Sequence, residues 1–119
     1  MPTVLLVDDS PLARRVIARR LLAEGFQVRE EPTAAAARAV DAMSLACAVV
    51  DLELPDGDGT DLAAALLTRR PSLPLAFFTA GASAALVERA RAHGPVFTKP
   101  QLEPLVAWIK RAAQPPPTK

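Results

Sequence analysis

Val4-Leu5-Leu6-Val7-Asp8-Asp9-Ser10-Pro11 passes from a wholly apolar run to two acids and a helix start within eight residues. The first four are short, apolar and rich in β-branched side chains, as in a strand buried on both faces. Ser10 is a good N-cap and Pro11 fits the first helical position, so a helix begins there. Leu12, Val16, Ile17 and Leu21 are read as its apolar face, and Gly25 closes it. The same unit recurs down the chain. Phe26 to Arg29 alternates, like a strand nearer an edge, and Thr33 caps an Ala-rich helix expected to reach about Asp41. Ala46 to Val50 is a second apolar run, ending at Asp51. Leu54 to Gly59 is dense in turn residues, and a helix over Asp61–Arg70 stops at Pro71. Leu75 to Phe78 is a third apolar run, ending at Thr79. A helix over Ser83–His93 stops at Gly94. Val96-Phe97-Thr98 is a last short strand before Lys99-Pro100, and Pro104 opens a helix carrying Leu105, Trp108, Ile109 and Ala112.

Five βα units in succession predict an α/β fold, a doubly wound (βα)5 domain with helices on both faces of a five-stranded parallel sheet. All 12 prolines fall in loops, tails or first turns on this parse, as they must if the strands and helices are placed correctly. A chain of 119 residues with 50% hydrophobic and 23% charged content supports one domain with a buried core and excludes wholesale disorder. The domain is expected over residues 1–113, with Gln114 to Lys119 as a Pro-rich tail or linker stub.

A net charge of +1 argues against a chain built mainly to grip nucleic acid. The longest uncharged stretch, Pro71 to Val87, contains Pro74 and Gly81 and falls short of the roughly 20 apolar residues of a membrane span. Met1-Pro2-Thr3 lacks the basic-then-apolar pattern of a signal peptide. A single cysteine, Cys47, rules out an internal disulfide and suits a reducing cytosol. Cys47 lies in an apolar strand and reads as an inert core thiol; His93 reads as a helix-end cation, and Trp108 as core or interface.

Seven of the 13 acids sit in two windows: Asp8 and Asp9, then Asp51, Glu53, Asp56, Asp58 and Asp61. In an open parallel sheet, ligands bind outside the carboxyl ends of the strands. Asp8, Asp9, Asp51, Thr79 and Lys99 all stand at such ends. Converging carboxylates repel one another unless a counter-charge joins them. Mg2+ fits, since it accepts a few carboxylates and keeps its waters. With a lysine and a hydroxyl beside it, the site suits an incoming phosphoryl group, with an aspartate as nucleophile. Taken singly, Asp8 and Asp9 are equally suited to capping a helix, and the four arginines of the first helix, Arg14, Arg15, Arg19 and Arg20, are read as a solvated face.

Taken together, these residues resemble the receiver domain of two-component response regulators. Val4 to Ser10 resembles that family's acidic pair, and Val49 to Gly59 its phosphoacceptor strand and loop. Phe78-Thr79-Ala80 resembles its switch hydroxyl and the small residue after it, and Lys99-Pro100 its lysine and the cis proline. The resemblance spans about residues 3–113 and implies a flavodoxin-like sheet in the order 2-1-3-4-5. It implies phosphorylation of Asp51 by a histidine kinase or phosphotransfer protein. It also implies Mg2+ held by Asp9, Asp51 and the Glu53 carbonyl, with Asp8 acting through water, and phosphoryl contacts from Thr79 and Lys99. A downstream protein would meet the face of helix 4, strand 5 and helix 5, and the first helix would meet the kinase. A cytoplasmic monomer or a weak phosphorylation-dependent dimer is expected. It would be a signalling protein rather than an enzyme, beyond its own phosphotransfer and dephosphorylation.

The sequence departs from the family pattern at three places. Val96 stands where an aromatic switch residue is usual, with Phe97 one position later, on the opposite face of the strand. The Gly94–Lys99 segment is shorter than usual, and Glu53 is an added carboxylate. Two other readings remain open from sequence. One is a small Mg2+-dependent phosphatase of the haloacid-dehalogenase type, with Asp51 as nucleophile and Glu53 as acid–base. The other is a degenerate receiver that binds a partner without phosphorylation.

Overall fold

Parallel pairing builds the sheet outward from its first strand. The structure, a computed structural model, describes residues 1–113; the tail expected over 114–119 lies outside the described residues. In chain order the elements are β1 (Thr3–Val7), α1 (Pro11–Ala23), β2 (Gln27–Glu31), α2 (Ala34–Arg38), a 3-10 turn (Ala42–Ser44) and β3 (Cys47–Val50). They continue with β4 (Glu53–Leu54), β5 (Gly57–Asp58), α3 (Gly59–Arg69), β6 (Leu75–Thr79), α4 (Ala84–Arg91), β7 (Val96–Thr98) and α5 (Leu102–Ala113). The sheet runs β2-β1-β3-β6-β7, all parallel. Counting only these five strands, this is the 2-1-3-4-5 order of a flavodoxin-like fold. The remaining pair, β4 and β5, is a small antiparallel hairpin absent from the sequence expectation.

Both ends of α1 are set by local chemistry. The Ser10 hydroxyl accepts from the Ala13 N–H and Pro11 occupies the first turn. At the other end Gly25 adopts φ +96°. Its N–H bonds the Leu22 carbonyl while the Phe26 N–H bonds that of Leu21, the paired closure that a left-handed residue permits. α2 is shorter than expected. It tightens into i→i−3 bonds at Ala39 and Val40, and the Asp41 carboxylate then takes the Met43 N–H to start the 3-10 turn. α5 begins at Leu102, two residues before Pro104. Pro104 costs nothing there, because first-turn N–H groups have no partner inside the helix.

Strand alternation divides the core into two layers. Leu5, Val7, Val50 and Phe77 face α2, α3 and α4, meeting Ala37, Leu62, Leu66 and Ala90. Val4, Leu6, Val49 and Phe78 face α1 and α5, meeting Ile17, Leu21, Leu105 and Ile109. The expected apolar face of α1 is only half right. Leu12 and Val16 stay 71% and 52% exposed. At about 100° per residue, Leu12 lies about 140° from Ile17 and diametrically opposite Leu21. The buried stripe is centred instead on Ile17, Ala18 and Leu21.

Candidate functional site

Register delivers the acids to one rim. Val7 pairs with Val50, and the Asp51 N–H bonds the Val7 carbonyl at 2.9 Å, so Asp8 and Asp51 leave adjacent strands side by side. α3 then starts against this rim. The Gly59 N–H bonds the Leu52 carbonyl at 2.8 Å, and a Cβ at Gly59 would collide with the Asp51 carbonyl oxygen. Only glycine lets the helix come so close to the strand end. On the other side, Thr79 ends β6 and its carbonyl accepts the Lys99 N–H at 2.8 Å. The Lys99–Pro100 peptide is cis.

Lys99 starts two strands away from β3, about 10 Å at normal strand spacing, and its stem covers the gap. Its ammonium lies 2.6 Å from Asp8 Oδ2 and 3.1 Å from Asp51 Oδ2. Asp8 is 2% exposed; its other carboxylate oxygen accepts the Ser10 N–H at 2.9 Å. The second oxygen of Asp51 accepts the Glu53 N–H at 3.3 Å. Burial works against the Lys99 ammonium, but the Asp8 hydrogen bond and the Asp51 charge outweigh it and hold its pKa above the usual lysine value. Asp8, Asp9 and Asp51 offer carboxylate oxygens that lie within 4.8 Å of one another, a set able to hold a metal cation. Thr79 is buried, and its hydroxyl has no hydrogen-bond partner among the described residues. A buried hydroxyl without a partner at a strand end is poised for a ligand that brings one.

The added acid is placed differently. Glu53 is exposed in β4 and its carboxylate is outside the three-acid group; the ion pairs of Lys99 go to Asp8 and Asp51. Asp56, at the hairpin turn, accepts the Ala34 and Ala35 N–H groups at 2.9 Å each, which holds its carboxyl below the usual range. Val96 packs with the α2–α4 layer, whereas Phe97 faces the other layer. The Phe97 ring centroid lies 6.4 Å from that of Trp108, so Phe97 is committed to α5.

The solvated-face reading of the α1 arginines holds for Arg15 and Arg19, which are exposed, and is corrected for Arg14 and Arg20. Arg20 is tied to Glu24 and to Glu103 of α5. Arg14 is largely buried, donating from Nη1 to the Asp8 carbonyl at 2.6 Å with Nε 3.4 Å from Glu30 Oε1. Arg14 precedes Ile17 by three residues and Leu21 by seven. That spacing already places it on the buried stripe.

A family model for the response regulator receiver domain matches residues 4–109. The chain belongs to this family. It is 40% identical over 79 residues to the photosynthetic apparatus regulatory protein RegA of Rhodovulum sulfidophilum, covering 66% of this chain and 43% of RegA. It is 38% identical over 79 residues to the sensor protein TorS of Escherichia coli, covering 65% of this chain and 9% of TorS. The receiver domain thus spans less than half the length of these relatives. The solved structure of the non-phosphorylated HemR receiver domain from Leptospira biflexa superposes with a TM-score of 0.85 at 28% identity, covering 100% of this chain and 99% of that one. No helix among the described residues is long and apolar enough to cross a membrane.

Proposed function

We propose that this receiver domain takes a phosphoryl group onto Asp51 from the phosphohistidine of a histidine kinase or phosphotransfer protein. The observation that carries the reading is the Lys99 ammonium within 3.1 Å of both Asp8 and Asp51. A carboxylate oxygen of Asp51 attacks phosphorus, a P–O bond forms, the P–N bond breaks, and the imidazole leaves. Lys99 then exchanges its Asp51 contact for a phosphoryl oxygen, and the buried Thr79 hydroxyl gains its missing partner from another. Water later attacks phosphorus, the aspartyl O–P bond breaks, and inorganic phosphate leaves the free aspartate. Asp8, Asp9 and Asp51, with the Glu53 main-chain carbonyl, would hold Mg2+. The donors are hard oxygens and Asp9 is exposed, which suits an ion that keeps some of its waters. Bound there, Mg2+ supplies positive charge to the phosphoryl oxygens.

The shift of Thr79 and Lys99 would bias the face formed by α4, β7 and α5, where a downstream protein would bind. With Val96 in place of an aromatic and Phe97 held by Trp108, that bias would run without an aromatic rotamer switch. The protein would act in the cytoplasm as a monomer or a weak phosphorylation-dependent dimer, with no catalysis beyond its own phosphotransfer and dephosphorylation. The exposed Glu53 outside the acidic group favours this reading over the phosphatase one, which needs Glu53 as acid–base.

The test pairs two assays on the same protein. Acetyl phosphate with Mg2+ should label the chain stably, and EDTA should abolish labelling, with no turnover of p-nitrophenyl phosphate. Sustained turnover of the monoester would favour the phosphatase.

A further inference from the structure

Asp9 is the least anchored member of the acidic group. Asp8 has all its polar groups engaged: its carboxylate oxygens by Ser10 and Lys99, its N–H by the Glu31 carbonyl at 3.2 Å, and its carbonyl by Arg14. Asp51 is held by Lys99 and the Glu53 N–H. The Asp9 carboxylate receives no hydrogen bond from the described residues, and Asp9 is exposed. Its place within 4.8 Å of the other two carboxylates therefore depends on the backbone that carries it. The carbonyl that Arg14 grips belongs to the Asp8–Asp9 peptide, whose planarity makes that oxygen a handle on the Asp9 N–H and Cα. Arg14 is itself fixed from behind, with Nε 3.4 Å from Glu30 Oε1 on β2, an ion pair rather than an aligned hydrogen bond.

We infer that Arg14 is a positioning residue for the cation site, holding the Asp8–Asp9 peptide so that the Asp9 carboxylate faces Asp51. The inference rests on the metal reading given above. Its sign separates it from plain electrostatics. A guanidinium near a cation site repels the cation, so deleting the charge should tighten binding. Loss of positioning should weaken it, because groups that orient metal ligands are worth about ten-fold or more in affinity.

The experiment is calorimetric titration of the EDTA-stripped full chain with Mg2+ alone, alongside urea unfolding without metal. Arg14→Met should raise the Mg2+ dissociation constant about ten-fold. In an Asp9→Ala background the same substitution should add nothing, as expected of two residues acting through one contact. An unchanged or lowered dissociation constant in Arg14→Met, with Asp9→Ala clearly weakened, overturns the inference and leaves the site reading intact. So does an undiminished Arg14→Met effect in the Asp9→Ala background. Absence of Mg2+ binding by the unmodified chain, or none lost in Asp9→Ala, overturns the site reading itself. Should Arg14→Met fail to fold, Arg14→Lys decides. It keeps the charge, but one ammonium cannot serve both the Asp8 carbonyl and Glu30, so a raised constant supports the inference and an unchanged one refutes it.

Discussion

Replacing Lys99 by methionine keeps the apolar stem and removes only the ammonium. Asp8 and Asp51 then lose a partner at 2.6 Å and 3.1 Å, and three carboxylates face one another with no ammonium between them. Deleting one side of a well-buried ion pair costs about 3–5 kcal/mol. Lys99 retains 20% side-chain exposure, so water can partly replace it, and about 3 kcal/mol is expected in metal-free buffer. The pH dependence has a definite sign. The Lys99 pKa lies above its ordinary value of 10.5, so its stabilising contribution is complete below 10.5 and is lost only as pH rises through the folded value. The deficit should therefore be flat through the neutral range and shrink in strong alkali. Mg2+ should then stabilise Lys99→Met more than the unmodified chain, because no ammonium competes for Asp8 and Asp51. Urea unfolding of both proteins, in EDTA and in Mg2+, measures all of this. A metal-free deficit below about 1 kcal/mol, the range of exposed pairs, would refute the electrostatic reasoning, as would equal Mg2+ stabilisation of both.

Other expectations follow from packing and burial. Leu21→Ala should cost about 2–5 kcal/mol by urea unfolding while Leu12→Ala stays within about 0.5 kcal/mol; similar costs would mean α1 is rotated from the orientation described. Thr79→Val removes a hydroxyl that has no partner among the described residues, so it should leave stability unchanged or improved while lowering the acetyl phosphate label; a clear destabilisation would show that the hydroxyl is already bonded. Burial pushes the Cys47 thiol up to about 12, so a thiol reagent at neutral pH should modify it only as fast as the chain opens. Reaction at the rate of a free thiol would contradict its placement in β3.

Four of the five sheet strands were legible as short apolar runs ended by a polar residue, and β2 (Gln27–Glu31) only through its alternation. The β4–β5 hairpin lay hidden in a turn-rich stretch, and alternation alone put Phe97 on the layer away from Val96. The helix boundaries were less so. α2 ends early because the Asp41 side chain competes for the backbone, and Pro104 marks a first turn rather than a helix start. Leu12 and Val16 misled because hydrophobicity was weighed without their angle around the helix. Arg14 was missed for the converse reason: its charge outweighed a spacing that places it inside. The convergence of Asp8, Asp51 and Lys99 spans up to 91 residues of sequence. Strand-end positions brought these residues to one rim, but the hydrogen bonds from Lys99 depend on side-chain reach across two strands, which no local pattern encodes.

Intact-mass analysis after acetyl phosphate treatment in Mg2+, on the unmodified chain and on Asp51→Asn, tests the central claim most directly. A single added phosphoryl group on the former and none on the latter is the predicted result. A phosphoryl group retained by Asp51→Asn, or an unmodified chain that takes none, would contradict it.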